Sequence, residues 1–291
     1  MLLDISDILS ILIGCLVQGS VFSLIALGFS LIYGVGGILN LGHGAFFVLT
    51  GYLLMTFLAH MFYPLALIFS LITIVIIGAI IFILLIKPIQ ETEISVVIVT
   101  FGLAFLIEEF ISTSEFGTQI IANIPYMIEG GIEIHPEVSI LLFQQILLII
   151  ASIIIVIIFI IFISKSKLGR SIRAVSQDRE AALLMGINAD RILMYTFMIA
   201  ALLAGIAALF YLPTSSLYPS RVWTILTTAF AVVIFGGLGN LKGSIASAYV
   251  ITFISNVTHK IDPAFTSVIP IILIFIILII RPRGLFGKKE I

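Results

Sequence analysis

KSKLGRSIRAVSQDREAALLMGINADR, running from Lys165 to Arg191, is the one long polar stretch in an otherwise almost continuously apolar chain. Six of the fourteen Lys and Arg residues sit in it: Lys165, Lys167, Arg170, Arg173, Arg179 and Arg191. Water-soluble sequence between two membrane-length apolar runs lies at one membrane face, and a Lys/Arg excess places that face in the cytoplasm. The spacing predicts a short surface helix with two sides. Arg173, Gln177 and Glu180 fall four and three apart on a polar stripe. Ile172, Val175, Ala182 and Met185 recur at three and seven on another side. Gly186 is the expected stop, because glycine takes the left-handed cap conformation without penalty. Asn188 can then cap the next helix, with Asp190 favourable in its positive first turn.

Outside this island the composition bounds the class. Of 291 residues, 61% are hydrophobic and only 10% charged, with a mean hydropathy of +1.32. A soluble domain is about 25% charged, so the chain reads as an all-α polytopic membrane protein. A net charge of -1 argues against nucleic acid as a partner. The single cysteine, Cys15, lies in an apolar run, so no intrachain disulfide can form. The leader to that run carries Asp4 and Asp7 rather than a basic region, so the run is expected to stay as the first span.

A spanning helix needs about 20 apolar residues. Candidates run over residues 8–33, 38–59, 64–86, 95–111, 138–163 and 192–212, followed by shorter pieces at 223–235, 244–258 and 265–280. These nine segments fit an expected eight to ten transmembrane helices, some short or broken. The piece at 223–235 would reach only about 20 Å as a helix, so its flanks extend it or it is a half-helix. The loop 112–137 has four acids (Glu115, Glu129, Glu133, Glu137) and no Lys or Arg, and reads as exterior. Lys87, the island at 165–191 and the tail 281–291 (Arg281, Arg283, Lys288, Lys289) read as cytoplasmic. Parity then puts the N-terminus outside and makes 1–291 a single transmembrane domain of the cell (plasma or inner) membrane.

Few residues inside the spans suggest chemistry. Asn40, His43 and Gly44 open the second span, and polar groups at membrane depth usually face a protein interior or a watery path. They read either as a helix cap with an interfacial histidine or, together with Gly236, Gly237 and Gly239, as a translocation path or gate. The Gly236–Gly243 run is no P-loop, because Lys242 precedes Gly243-Ser244 where Gly-Lys-Ser order is required. It reads as a turn between helices. Glu108-Glu109 reads as an acidic pair at the exterior interface. His60, His135 and His259 lack metal-ligand spacing, and no nucleophile–base motif suggests an enzyme.

Several stretches carry a family resemblance. Glu180-Ala181-Ala182, three residues and then Gly186 resembles the EAA motif of ABC-importer permeases, with Thr196 where the longer motif usually has isoleucine. Tyr33-Gly34-Val35 with Asn40-Leu41-Gly42-His43-Gly44, Lys87-Pro88-Ile89 and Thr100-Phe101-Gly102 resemble the branched-chain amino acid permease family. So do Lys167-Leu168-Gly169-Arg170, Leu184-Met185-Gly186-Ile187-Asn188, Phe235-Gly236-Gly237-Leu238-Gly239 and Arg281-Pro282-Arg283-Gly284-Leu285-Phe286-Gly287. The order is preserved over nearly the whole chain, although Lys242 and Ser247 stand where uncharged or smaller residues are expected.

The resemblance implies a permease subunit with no cofactor of its own. A second homologous permease, two ATPases that bind ATP and Mg, an external binding protein and membrane lipid would be its partners. Arg170, Arg173, Glu180, Ala181, Ala182 and Gly186 would carry ATPase coupling, moving as one helix when the ATPases close. The substrate would be a branched-chain amino acid or a related small polar solute. The alternative is an ion-coupled secondary transporter with His43 as proton relay; an intramembrane enzyme is the third class. The topology makes one testable statement. With Cys15 removed, an impermeant thiol reagent is expected to label a cysteine at Thr118 on intact cells, and one at Ser176 only after permeabilisation.

Overall fold

Apolar segments become helices because a hydrocarbon core leaves backbone groups no partner outside their own segment. The computed structural model describes residues 5–113, 123–132, 141–266, 268–281 and 283–287. Nine helices follow the nine apolar segments: α1 (Ile5–Gly36), α2 (His43–Leu58), α3 (Tyr63–Ile81, continued by a π turn over Phe82–Ile86) and α4 (Glu93–Thr113). α5 is Phe143–Lys165. The polar-island helices α6 (Lys167–Gln177) and α7 (Arg179–Leu184) come next, then α8 (Ala189–Tyr211), α9 (Arg221–Gly236), α10 (Leu241–Ile261) and α11 (Ile269–Ile280). Five of these, α1, α3, α4, α5 and α8, are long and apolar enough to cross a membrane unaided. A two-residue antiparallel ladder, Gly131–Ile132 with Leu141–Leu142, precedes α5.

The bundle is arranged around α1 and α8. The most apolar stretch of α8 is 67% buried and that of α5 only 22%, so α8 is central while α5 turns isoleucines such as Ile154 and Ile158 outward. Gly28 is what lets α1 and α8 meet: a methyl group there would come within 3.1 Å of the Ala200 backbone. α10 lies antiparallel along α1. Lys260 pairs with Asp7 at one end (2.8 Å), Asn256 donates to Gln18 (3.1 Å), and Ser20 and Tyr249 share a hydrogen bond of 3.2 Å. At the other end Gly34 and Gly239 touch.

Two departures from the expected spans follow from backbone accounting. The second span is helical only from His43, not from Ile38. Gly37 (φ +66°) ends α1, and residues 38–42 turn back beside it. Two of their amides find partners inside the protein, Leu41 N–H on Thr100 Oγ1 (3.0 Å) and Gly42 N–H on Asn40 Oδ1 (3.0 Å). Irregular backbone at membrane depth is tolerated under such cover. The short 223–235 piece is extended by its flanks to 16 residues, one of the two outcomes its length allowed. The start at Val138 and the acids Glu115, Glu133 and Glu137 lie outside the described residues, as do Lys288 and Lys289.

The tail closes the turn between α9 and α10. Leu285 N–H donates to Phe235 O (2.9 Å), Phe286 N–H to Gly236 O (3.3 Å), and Asn240 Nδ2 to Phe286 O (2.6 Å). These bonds occupy carbonyls that the end of α9 leaves open. Gly284 sits at φ +77°, and a Cβ there would collide with the backbone of Gly237. A left-handed conformation costs a non-glycine residue about 1–2 kcal/mol before any clash. Gly284→Ala is therefore expected to lower the thermal midpoint of the detergent-solubilised protein. Gly102→Ala, where a methyl meets nothing within 4 Å, should leave it unchanged or raise it.

Candidate functional site

The polar island is not one helix. Asp178 breaks it: its backbone is extended (φ -156°, ψ 109°) and its carboxylate accepts from Ala181 N–H at 2.9 Å, capping α7. The expected stripe of Arg173, Gln177 and Glu180 is therefore split across two elements. Ile172, Val175 and Ala182 are buried as their spacing predicts. Met185 departs from that side and is 82% exposed, because the α7 helix ends at Leu184. Gly186 at φ +81° stops the helix, with Ile187 N–H returning to Ala182 O (3.0 Å), and Asn188 caps α8 through Arg191 N–H (3.0 Å).

Arg170 and Arg173 face back towards the membrane. Their guanidinium groups donate to Lys165 O (3.2 Å) and Ile163 O (2.5 Å), carbonyls at the C-terminus of α5. Cations there also oppose the negative end of the helix dipole. Glu180 and Ala181 are exposed. Beside them Leu183, Leu184 and Met185 are 51%, 89% and 82% exposed, an apolar knob on a water-facing segment.

Asp190 ties this segment to its neighbours. It accepts from Arg179 (3.2 Å) and Gln90 (3.0 Å), with Lys87 Nζ at 3.9 Å. The α3–α4 connection, α7 and the start of α8 thus meet at one carboxylate.

At the head of α2, His43 is fully buried rather than interfacial. Its Nε2 donates to Ile25 O (3.0 Å), and its ring makes edge contacts with Phe29 and Phe46. Ile25 stands eleven residues before the end of α1, about 16 Å along the axis, so His43 sits deep in the bundle. His43 Nδ1 and Asn40 Nδ2 are buried without a partner among the described residues. Asn40 does not cap α2, whose N-cap is Gly42. Gly44 packs against Val222 and Leu226 of α9. Gly236, Gly237 and Gly239 lie at the far end of α9 from there, in the turn held by the tail, so these candidates form two separate clusters.

A third feature escaped the sequence. A cavity of about 320 Å³ opens between α1, α9, α10 and α11, lined in part by Gln18, Arg221, Thr224, Thr228, Thr252 and Ser255. Arg221 was legible only as the end of a loop. The one local signal was a cation opening a short apolar run with three threonines in it. Nearby, Glu108 accepts from Trp223 Nε1 at 2.5 Å, so half of the expected acidic pair is engaged within the bundle. Among the described residues, no group of three or more His, Cys, Asp or Glu is placed to hold a metal ion.

Comparison with known proteins fits this arrangement. Residues 11–278 match the family model described as the permease component of branched-chain amino acid transport systems. The high-affinity branched-chain amino acid transport permease LivH of Salmonella typhimurium is 26% identical, with 94% of this chain and 93% of that protein covered. BraD of Pseudomonas aeruginosa, of the same description, is 25% identical over 99% of this chain and 98% of its own length. A probable LivH of Methanocaldococcus jannaschii is 24% identical, covering 95% and 92%. Among solved structures, PsaBC from Streptococcus pneumoniae in complex with Fab shares the fold, with a TM-score of 0.51 and 15% identity over 94% of this chain and 92% of that one.

The Asp190 junction is open to test. Both of its ion pairs are more than a third exposed, and such pairs contribute about 0–1 kcal/mol. Asp190→Ala is expected to change the thermal midpoint little while speeding amide hydrogen exchange across residues 179–187. Unchanged exchange there would show that the carboxylate does not hold α7.

Proposed function

Because the chain belongs to the permease-component family of branched-chain amino acid transport systems, we propose that it carries branched-chain amino acids across the membrane within an ATP-binding cassette importer. It is a multi-pass membrane protein and a permease component, not an enzyme. In this reading an external binding protein delivers the solute, a second homologous permease completes the path, and two ATPases bind ATP and Mg beneath the pair. Family membership removes the ground for a gradient-driven transporter.

The apolar knob Leu183–Met185 carries the coupling assignment. Large apolar side chains at 51–89% exposure on a water-facing segment are costly unless a partner covers them. Glu180 and Ala181 border the knob, and the Gly186 stop fixes where it ends. Arg170 and Arg173 join α6 to the end of α5, and Asp190 joins α7 to α3, α4 and α8, so a push on the knob has contiguous routes into the membrane helices. For the path we retain Asn40, His43 and Gly44, the deep polar cluster at the head of α2. Gly236, Gly237 and Gly239 would act as a stiff joint beneath it.

The cytoplasmic assignment of residues 165–191 and the tail is supported by their sharing one end of the bundle with Lys87. Gly36 packs on Leu193, Gly34 on Gly239, and Lys87 lies beside Asp190. The N-terminus, at the opposite end of α1, then faces outward.

Two experiments test this function. Mild extraction of the tagged chain from its native host is expected to recover ATPases and a second permease with it. Glu180→Lys, and Gly186→Pro, which forces φ to about -65° where +81° is needed, should leave the protein inserted. Both should reduce ATP-driven leucine uptake by about tenfold or more while ATP hydrolysis persists. Normal uptake by both variants would overturn the coupling role of α7.

A further inference from the structure

We propose that the cavity between α1, α9, α10 and α11 is a station for the amino acid in transit, with Arg221 receiving its carboxylate. The inference rests on the transport function above and deepens it by naming the chemistry of the solute. Arg221 is partly buried at the first turn of α9. Its guanidinium lies 5.3 Å from the Tyr211 ring centre and 5.6 Å from that of Tyr218, and donates to Ser216 O. Those contacts orient the planar fork but employ few of its five N–H groups. The ion pairs among the described residues engage Lys87, Arg179 and Lys260, and none engages Arg221.

A cation in a partly apolar wall that no acid among the described residues pairs with is a ready receptor for a carboxylate, which can meet it with bidentate geometry. The positive end of α9 adds in the same sense. Arg221, Thr224 and Thr228 stand at i, i+3 and i+7, one stripe of α9, and all three line the cavity. The Thr224 and Thr228 hydroxyls make no hydrogen bond among the described residues. Ser255, across on α10, is 8% exposed, and its hydroxyl is buried without a partner among the described residues. These oxygens can accept from an ammonium group.

Phe22, Ile225 and Ile271 supply apolar wall for an aliphatic side chain. At about 320 Å³ the space lies at the lower end of small-ligand sites, about 300–1,000 Å³. Among the described residues no acidic side chain lines it, so a second positive charge on the solute would find no match there. The class that fits is a small zwitterion with an apolar side chain. Amides and urea lack the carboxylate.

The test uses the whole complex, reconstituted with its ATPases and binding protein, in a Cys15→Ser background. Arg221→Gln is expected to cut leucine uptake by about tenfold or more with the ATPases still bound, and Arg221→Lys to restore about a third of it. A structural role for Arg221 would give the same losses, so a second readout is needed. With Ser255→Cys exposed to a small external methanethiosulfonate, leucine should slow labelling and leucinamide should not. Arg221→Gln should abolish that protection. Equal protection by leucinamide, protection surviving Arg221→Gln, or none from leucine would each overturn the assignment. A complex that labels as expected yet imports no leucine would instead refute the transport reading.

Discussion

Hydrocarbon offers a polypeptide no hydrogen-bond partner, and where helices of this chain break or end the protein supplies partners of its own. Residues 38–42 leave helical geometry at depth, and Thr100 and Asn40 take up the freed amides. α9 ends at Gly236, and amides of the tail fill its last carbonyls. α5 ends at Lys165, and Arg170 and Arg173 reach back to it. An unsatisfied group in hydrocarbon costs several kcal/mol. The contacts at residues 38–42 and at the end of α9 therefore bear on whether a helix can stop there, whereas the exposed end of α5 has water as an alternative.

The same accounting separates the bundle into a stiff centre and a linked end. α1 approaches α8 closely at Gly28 and shares with α10 a polar seam running from the Asp7–Lys260 pair to Ser20 and Tyr249. At the opposite end one carboxylate, Asp190, joins three elements distant in sequence. Its bonds are partly solvated and individually weak. A hub of weak bonds can be remade as neighbouring elements shift, whereas the glycine-packed seam cannot. In the coupling proposed above, motion driven from α7 would meet little resistance until it reached α8.

What could be read from the sequence follows from the range of each determinant. The spans were legible because about 20 apolar residues are a local signal, and Gly186 and Asn188 because caps act within one turn. The break at Asp178 was harder. An aspartate there is a cap signal, yet Arg173, Gln177 and Glu180 also fit one unbroken stripe. The choice turns on a single backbone conformation. Ile38, Leu39 and Leu41 are as apolar as a helix, and the Thr100 hydroxyl on α4 that takes up the Leu41 amide is a partner distant in sequence. The depth of His43 and the cavity around Arg221 depend on four or five elements converging, and no local pattern encodes that.

The pairing of α1 with α10 carries a consequence for how the protein is made. α1 leaves the ribosome first, with Gln18 and Ser20 on the face that will meet α10. Their partners Asn256 and Tyr249 are synthesised more than two hundred residues later. At about 5–20 residues per second, that interval lasts on the order of ten seconds or more. For that time the helix holds amide and hydroxyl groups in the bilayer that only the finished chain can engage. Residues 283–287, which close the α9–α10 turn, arrive later still. A ribosome that stops before Tyr249 would leave the seam unmade, and such a chain would present quality-control proteases with polar groups inside the membrane.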